Sequence, residues 1–348
     1  MKRLSNEFNY SLFLPLLLFY LISIGIQSLA AELDGVDVKS VMMKQILFCL
    51  LSLAAMGIVS RIITSCLLKY APLFYVLSLG LMALLYWFHD PAMFAVTNTK
   101  RWLRIGGFSF QPSELMKLSF ILFMVRLTLI DEMNQPQRSL RNDLGYIGKI
   151  LLYSLPTFLL MFMQRDFGTS LVFIAILGAL FVISGVHWKI LVTITGAVAA
   201  LGSTLLILVF SEWGNKLLYW LHFKTYQLDR VRAWVDPFQY RDSIAYQQVQ
   251  SLYAIGSGGL FGRGKGQASV YVPVRESDMI FTVVGESFGF IGGTLVIFLY
   301  FYLFYQILYA AIGILPLTGI PLPILSQGGT SLIVLGIGFG IMMGFKKN

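Results

Sequence analysis

The fold is decided by residues 287–345, which read SFGFIGGTLVIFLYFYLFYQILYAAIGILPLTGIPLPILSQGGTSLIVLGIGFGIMMGF. This stretch of 59 residues contains no Asp, Glu, Lys or Arg. About 20 apolar residues in a helix cross the hydrocarbon core of a bilayer, and lipid offers the backbone no hydrogen-bond partner outside such a helix. The stretch is therefore predicted to cross a membrane as α-helices.

The rest of the chain has the same character. Of its 348 residues, 57% are hydrophobic and 12% are charged, whereas soluble domains carry about 25% charged residues. Seven more apolar stretches are candidate spans: 10–31, 45–60, 70–88, 113–130, 150–163, 169–186 and 190–210. We expect an all-α polytopic membrane protein of about nine to ten transmembrane helices, which forms one integral membrane domain over residues 1–348.

The charges between the apolar stretches predict the orientation. Basic residues cluster in alternate turns: Lys2, Arg3, Arg61, Lys69, Arg126, Arg138, Arg141, Lys149 and Lys189. Because cytoplasmic loops carry the excess of Lys and Arg, the N-terminus is predicted to be cytoplasmic, in a bacterial inner (plasma) membrane. Residues 89–112, 164–168 and 211–282 are then extracytoplasmic. The net charge of +9 is explained by these loops and does not indicate a nucleic-acid partner.

The extracytoplasmic loop 211–282 is longer than a simple connector needs to be. Its residues 216–235 mix Trp220 and Trp234 with Lys216, Arg230 and Arg232. That composition is typical of a helix lying in the lipid headgroup plane. A helix packed on the protein itself has the same pattern, and the sequence leaves both interpretations open.

Charged residues surround the entry to the fourth span. Arg101 and Arg104 precede it, while Glu114 and Lys117 lie at its start. Glu114 and Lys117 are three residues apart, so they share one face of a helix. Ionisable groups at a membrane span are costly unless they pair or line a wet cavity, which makes them functional candidates. A purely structural Glu114–Lys117 ion pair remains the alternative.

Two further outward segments carry carboxylates. Asp166 lies in the short hairpin QRDFGT, residues 164–169, and Asp278 lies in VPVRESDMIF, residues 272–281. Asp278 stands directly before an apolar stretch, where partial loss of solvent would make a carboxylate a better general base. An Asp at this position is also a common helix N-cap. Spacing alone does not choose between these roles.

Other motifs exclude several classes of chemistry. The glycine-rich segment 256–266 resembles a P-loop, but Gly266 stands where Ser or Thr should hold magnesium, so nucleotide hydrolysis is rejected. Its backbone N–H groups could still approach a phosphate. The three histidines have no metal-ligand spacing, and no metal-ligating residue is predicted. Prolines and glycines in 313–331 break the last apolar run, which indicates irregular backbone lining a polar crevice.

Several of these segments, taken in order along the chain, resemble the SEDS family (shape, elongation, division and sporulation), and more closely its rod-shape branch than its division branch. They are 101–117, 164–169, 246–267, 272–293 and 313–331. The pattern Pro316-x-Thr318-Gly319-x-x-x-Pro323-x-x-Ser326-x-Gly328-Gly329 is the most specific of them.

The resemblance implies a peptidoglycan glycosyltransferase that polymerises lipid II during cell elongation and maintains cell shape. It implies a class B penicillin-binding protein as transpeptidase partner, together with other membrane proteins of the elongation complex. It implies Asp278 as the catalytic residue. The substrate-binding residues implied are Arg101, Arg104, Glu114, Lys117, Asp166, Gln247 and Ser326.

The residues suit that chemistry. A sugar hydroxyl attacks an anomeric carbon whose leaving group is a polyprenyl pyrophosphate, and Asp278 would accept the hydroxyl proton as general base. Arg101, Arg104 or Lys117 would stabilise charge on the departing pyrophosphate. A divalent cation, Mg²⁺ or Mn²⁺, would be the only cofactor, and the sequence does not decide whether one takes part.

The chain departs from the family pattern after Asp278. Family members cross the membrane three times there, whereas 287–345 accommodates two comfortable spans, roughly 289–315 and 328–345. About thirty residues around position 309 are expected to be missing. Intramembrane charges and broken helices are also typical of transporters, so a lipid II flippase or transporter is kept as an alternative function. A non-catalytic scaffold of the wall-synthesis complex is a further alternative, which the missing residues favour.

Overall fold

The computed structural model describes residues 10–91, 94, 99–105, 108–134, 139–220, 225–311, 324–325 and 328–344. Within them lie twelve α-helices of nine or more residues: α1 Tyr10–Leu33, α2 Val38–Val59, α3 Thr64–Phe88, α4 Pro112–Asn134, α5 Leu140–Gln164, α6 Phe167–Ile183, α7 Trp188–Phe210, α8 Glu212–Trp220, α9 Thr225–Val235, α10 Tyr246–Ser257, α11 Ile280–Ala311 and α12 Gly329–Gly344. The antiparallel strands β1 Leu103–Ile105 and β2 Phe108–Phe110 precede α4.

Nine of these helices correspond to the predicted spans. In the described part of the chain, α1, α2, α3, α5, α7 and α11 are long and apolar enough to cross a membrane, while α6 and α12 are shorter apolar helices. The helix α4 has 23 residues but carries Glu114, Lys117 and Arg126. The predicted all-α polytopic membrane fold is therefore confirmed. The predicted break at 313–331 falls largely outside the described residues, which resume at Ile324.

The chain divides into two compact units. The first contains Met1–Gly25, Lys39–His187 and Leu299–Asn348, and the second contains Ile26–Val38 and Trp188–Phe298.

In the first unit, α3 packs against α4 and α5 through aromatic rings and interhelical hydrogen bonds. The Tyr75 ring stacks on Phe123 with centroids 4.6 Å apart. The Tyr75 hydroxyl donates to the Tyr153 carbonyl at 2.5 Å and lies 3.0 Å from the Thr157 hydroxyl. In lipid, such bonds and close packing hold helices together, because lipid tails solvate apolar side chains as well as another helix does.

The helices α2 and α12 of the same unit approach closely along a row of glycines. A Cβ added at Gly336 would lie 2.3 Å from the Ser52 carbonyl oxygen, and one at Gly340 would lie 2.7 Å from that of Met56. The Ser52 hydroxyl donates to the Leu332 carbonyl at 2.5 Å. Glycines spaced four apart allow two backbones to come this near, which explains the glycine content of α12.

In the second unit, α8 and α9 pack on the end of α7. Leu218 and Leu228 are buried together with Val209, whereas Trp220 and Trp234 are exposed. Residues 216–220 and 225–235 thus belong to two helices, each with one face packed on the protein. The protein-packed interpretation holds for those faces, and the headgroup-plane location of the tryptophans stays a prediction.

Candidate functional site

Asp166 holds Arg101 in the first unit. The Asp166 carboxylate caps the N-terminus of α6, where it accepts hydrogen bonds from the Thr169 backbone N–H at 3.2 Å and from its hydroxyl at 2.7 Å. The Arg101 Nη1 atom lies 3.5 Å from the same carboxylate. The Asp166 side chain is 1% exposed and that of Arg101 is 33% exposed. Asp166 is therefore placed to orient Arg101, and Arg101 is the accessible member of the pair.

Glu114 and Lys117 form the ion pair that their spacing predicted. The Lys117 Nζ atom lies 2.9 Å from the Glu114 carboxylate, and the side chains are 14% and 11% exposed. Both lie in the first two turns of α4, and Glu114 is favoured there by the helix dipole. The pair neutralises both charges in a partly buried place, so neither residue offers a free charge.

Arg104 is a cation of a different kind. It lies on β1 opposite Ser109 and is exposed. Among the described residues its guanidinium has no acidic or hydrogen-bonding partner. Of the three cations predicted to meet a pyrophosphate, Arg104 is thus the one whose charge is least compensated in the structure.

Lys100 belongs to the same edge of the first unit, and the sequence analysis missed it. Its ammonium lies 4.3 Å from the centroid of the Tyr86 ring, a cation–π distance. Its backbone N–H donates to the Gln164 carbonyl at 3.2 Å, which ties the segment before β1 to the hairpin of Asp166. A lysine directly before Arg101 was the available signal, but its partner lies far away in sequence.

Asp278 lies in the second unit on the turn of residues 273–279, directly before α11. Its side chain is exposed and makes no hydrogen bond or ion pair with a described residue. The expected loss of solvent is therefore not found in the structure, because the carboxylate precedes the apolar helix without entering its packing. No capping bond to α11 is present either. The structure leaves Asp278 available to a substrate.

Gln247, predicted to bind substrate, contacts the backbone of this turn. Its side-chain N–H donates to the Pro273 carbonyl at 3.1 Å. A second amide, that of Gln27, donates to the Glu276 carbonyl at 2.9 Å. Two carbonyls of the turn are thus held by side chains from α10 and α1.

A buried charge cluster lies under the turn and was not predicted. Arg275 Nη1 lies 3.3 Å from the Glu286 carboxylate, and both side chains are 1% exposed. Arg275 Nη2 donates to the Val270 carbonyl at 2.7 Å, and Nε lies 3.8 Å from the Asp34 carboxylate. Burial raises the pKa of Asp34, the Arg275 charge lowers it, and Glu276 raises it further. The sequence signal was one arginine in VPVRESD (272–278) and one glutamate in GES (285–287), but the sequence does not show that residues eleven positions apart pair with each other.

The glycine-rich segment packs against a break in α11. Gly289 has φ 66° and ψ −160°, so the helix is interrupted there. Backbone N–H groups of Arg263 and Gly264 donate to the Glu286 and Ser287 carbonyls at 2.8 and 3.2 Å. A Cβ at Gly262 would lie 2.2 Å from the Ser287 carbonyl oxygen. These N–H groups are thus engaged with α11, which corrects the expectation that they are free to approach a phosphate.

Ser326 lies outside the described residues, but its neighbour Ile324 is described. The Ser23 hydroxyl donates to the Ile324 carbonyl at 2.6 Å, and the Gln45 amide donates to Ser23 at 2.7 Å. Ile324 and Leu325 are buried. At Ile324 and Leu325 the backbone is thus covered by protein and by polar side chains of α1 and α2. The rest of the predicted crevice lies outside the described residues.

The site residues fall into both units. The first unit brings Arg101 to Asp166 and Glu114 to Lys117. In the second unit Gln247 contacts Pro273, which precedes Asp278 by five residues in the same turn. Across the described ranges, no group of three or more His, Cys, Asp or Glu side chains could hold a metal ion.

Comparison with known proteins supports membership of the SEDS family. The family model of the FtsW, RodA and SpoVE proteins, described as "Cell cycle protein", matches residues 8–312 and 308–348. The two matched segments overlap at residues 308–312, close to the position where residues of the family pattern are expected to be missing.

Relatives and solved structures agree with that family. The probable peptidoglycan glycosyltransferase FtsW of Aliivibrio salmonicida is 30% identical, covering 87% of this chain and 78% of the relative. The peptidoglycan glycosyltransferase MrdB of Escherichia coli K12 is 33% identical, covering 71% and 70%.

Two solved structures share the fold. A chain of a structure described as "Structural coordination of polymerization and crosslinking by a peptidoglycan synthase complex" has a TM-score of 0.74 at 21% identity, covering 98% of this chain and 97% of that one. The rod shape determining protein RodA of Thermus thermophilus has a TM-score of 0.61 at 20% identity, covering 99% and 97%. The chain is a multi-pass membrane protein that belongs to the SEDS family of FtsW, RodA and SpoVE proteins.

Proposed function

We propose that this protein is a peptidoglycan glycosyltransferase that polymerises lipid II into glycan strands during cell elongation. The observation that carries the proposal is Asp278, an exposed carboxylate without a partner among the described residues, on a turn whose backbone is anchored by Gln247 and Gln27. Relatives named peptidoglycan glycosyltransferases support the reaction class.

In the proposed reaction, a sugar hydroxyl of one substrate attacks the anomeric carbon of another. A new C–O bond forms, the bond to the polyprenyl pyrophosphate breaks, and the hydroxyl proton passes to Asp278 as general base. The leaving group departs as the pyrophosphate anion. Asp278 suits this part because a general base must reach its proton directly, and an exposed carboxylate is free to do so.

The cationic residues divide the remaining work. Arg104 is proposed to bind the pyrophosphate, since its guanidinium is exposed and uncompensated, and planar guanidinium groups bind phosphate oxygens in pairs. Arg101, held by Asp166, is proposed as a second contact. Lys117 and Glu114 are proposed to shape the site as a neutral pair rather than to supply charge.

The protein is proposed to have its N-terminus in the cytoplasm, because every second turn is rich in Lys and Arg and these turns lie on the same side as the N-terminus. It is then proposed to act at the outer face of the bacterial inner membrane, where the predicted site residues lie. The proposed partner is a class B penicillin-binding protein, the transpeptidase of the pair. A similar fold in a peptidoglycan synthase complex supports this partner class. Lipid II is the proposed substrate.

The test uses purified protein, labelled lipid II, the penicillin-binding partner and a divalent cation. Glycan strands from the wild type and none from Asp278→Asn would support polymerisation with Asp278 as the base. Equal strand synthesis by Asp278→Asn would remove Asp278 from the mechanism. Movement of lipid II between leaflets of a vesicle without strand synthesis would instead identify a carrier.

A further inference from the structure

We propose that Arg275 is a positioning residue for Asp278, because its buried guanidinium fixes the turn that presents the Asp278 carboxylate. This inference rests on the proposed function, which gives Asp278 its catalytic part. Arg275 itself is too deeply buried to meet a substrate, so its effect must pass through the turn.

The guanidinium of Arg275 has partners on three segments. They are Glu286, on the second turn of α11, at 3.3 Å, the Val270 carbonyl at 2.7 Å and the Asp34 carboxylate at 3.8 Å. The side chains of Arg275 and Glu286 are both 1% exposed. A buried charge that loses its partner is strongly destabilising, so the two charges hold their segments together.

Glu286 also binds the chain before Arg275, at Ser269. Its Oε1 atom accepts hydrogen bonds from the backbone N–H and the hydroxyl of Ser269, the latter at 2.7 Å. Residues 269 and 275 are therefore both bound to one carboxylate. The five residues between them form a closed loop on α11, and Asp278 lies between this loop and the first residue of the helix.

The backbone within this loop is strained. Val274 has φ 54°, a left-handed conformation that a β-branched residue rarely adopts. Strain of this kind persists where the surrounding contacts determine the conformation. Those contacts are present on both sides of Val274, at the Pro273 carbonyl bound by Gln247 and at the Arg275 guanidinium. These contacts thus fix the turn, and none of them involves the Asp278 side chain.

Fixing the turn matters because a general base acts only within hydrogen-bond reach of the proton it accepts. A displacement of about 1 Å in a reacting group can lower a rate by about 100-fold. Loosening the turn should therefore lower kcat for polymerisation and leave KM for lipid II nearly unchanged, since Arg275 does not contact the substrate.

The experiment separates this role from a contribution to folding. Arg275→Met alone leaves the buried Glu286 charge without its cation, and Glu286→Gln alone leaves Arg275 with only the Asp34 carboxylate at 3.8 Å. The double variant Arg275→Met/Glu286→Gln removes both deeply buried charges at similar volume and is expected to fold, since the Asp34 side chain that loses its cation is 18% exposed. The matched control is Arg241→Met/Asp242→Asn, an exposed ion pair in the same unit with side chains 63% and 88% exposed.

Three quantities are measured on the full-length protein in detergent: the thermal midpoint, kcat and KM with lipid II, and hydrogen exchange of residues 269–279. In the double variant we expect a midpoint near that of the wild type, a kcat lower by about tenfold or more, a KM within about twofold, and faster exchange confined to the turn. The control should match the wild type. Arg275→Lys should recover part of kcat, because its ammonium keeps a positive charge facing Glu286 but lacks the planar fork whose separate nitrogens serve Glu286 and Val270.

A double variant with wild-type kcat, or with unchanged exchange in the turn, would overturn the inference. A wild type that makes no glycan strands, while a relative is active under the same conditions, would overturn the proposed function instead. The exchange measurement would still show in that case whether Arg275 holds the turn.

Discussion

The Nη1 atom of Arg275 lies 3.3 Å from Oε2 of Glu286, and neither side chain is more than 1% exposed. The pair joins the turn before α11 to α11 itself, three residues from Asp278. In a protein whose charges are few, a pair buried this deeply marks a place where one geometry has to be maintained.

Replacing Asp278 should lower activity strongly without affecting the fold. We expect Asp278→Asn to lower polymerisation by about 10²- to 10⁴-fold, the usual contribution of a general base. The thermal midpoint should not change, since the side chain is exposed and makes no bond to a described residue. Strand synthesis on a gel and a thermal melt provide the two readouts. Asp242→Asn, which is also exposed in the second unit, serves as the control.

Neutralising Arg104 should affect catalysis, whereas neutralising Lys117 should affect stability. Arg104→Gln is expected to lower kcat/KM by about 10- to 100-fold with an unchanged thermal midpoint, because charged hydrogen bonds contribute about 1.5–3 kcal/mol. Lys117→Gln is expected to lower the midpoint, because it leaves the Glu114 carboxylate without its cation in a partly buried place.

Steady-state kinetics and thermal melts distinguish the two variants, with exposed Arg61→Gln as the control. Equal loss of stability in Arg104→Gln and Lys117→Gln would contradict the distinction.

Asp166 should matter first for stability and then for Arg101. Asp166→Ala removes the N-cap of α6 and is expected to lower the free energy of unfolding by about 1 kcal/mol. Asp166→Asn keeps a capping oxygen, so most of that stability should remain while the Arg101 contact is weakened. Unfolding in denaturant measures the first effect and lipid II kinetics the second. Stability lost equally in both variants would argue against the cap.

The glycines of α12 should be intolerant of a methyl group. Gly336→Ala would place a Cβ 2.3 Å from the Ser52 carbonyl oxygen, which forces α2 and α12 apart. We expect a loss of about 1–3 kcal/mol, typical of overpacking. Gly80→Ala in α3 is the matched control, because nothing lies within 4 Å of its added Cβ. A thermal melt that ranks the two variants alike would refute the close approach.

Asp34 should make stability depend on pH in an unusual sense for a carboxylate. Its pKa is raised from the ordinary value of 3.8, mainly by burial, against the opposing effect of Arg275. A raised pKa in the folded state favours the protonated form, so its stabilising contribution is present below pH 3.8 and is lost as pH rises through the raised value.

Asp34→Asn should therefore gain stability relative to the wild type as pH is increased from about 3.8 toward neutrality. Thermal midpoints of both proteins across that range measure the difference. A difference that shrinks with rising pH would mean that the Arg275 contact dominates over burial.

Much of the fold could be predicted because lipid imposes a local rule. Each membrane span is a continuous run of apolar residues, so helices such as α7 and α12 could be located without knowing which helices they pack against. The Glu114–Lys117 pair was predictable for a similar reason, since spacing along one helix determines which residues share a face.

The candidate site was only partly predictable. Asp278, Arg101 and Glu114 were chosen from motifs, but the motif did not tell whether Asp278 is exposed, whether Asp166 faces a substrate, or what Gln247 contacts. The structure assigns Asp166 to a helix cap and Gln247 to the Pro273 carbonyl. Each of these contacts joins residues whose proximity depends on a turn or on a second helix.

The sequence by itself determined that this is a multi-pass helical membrane protein of the SEDS family, because hydrophobic run length and family motifs are local properties of the chain. Only the tertiary structure decided which charged side chains are exposed and which are buried in ion pairs that stabilise the fold. Arg104 and Arg275 look alike in the sequence, yet one is exposed and the other is buried against Glu286. Burial and pairing depend on contacts with residues far away in the sequence, so the identity of a single residue does not predict them.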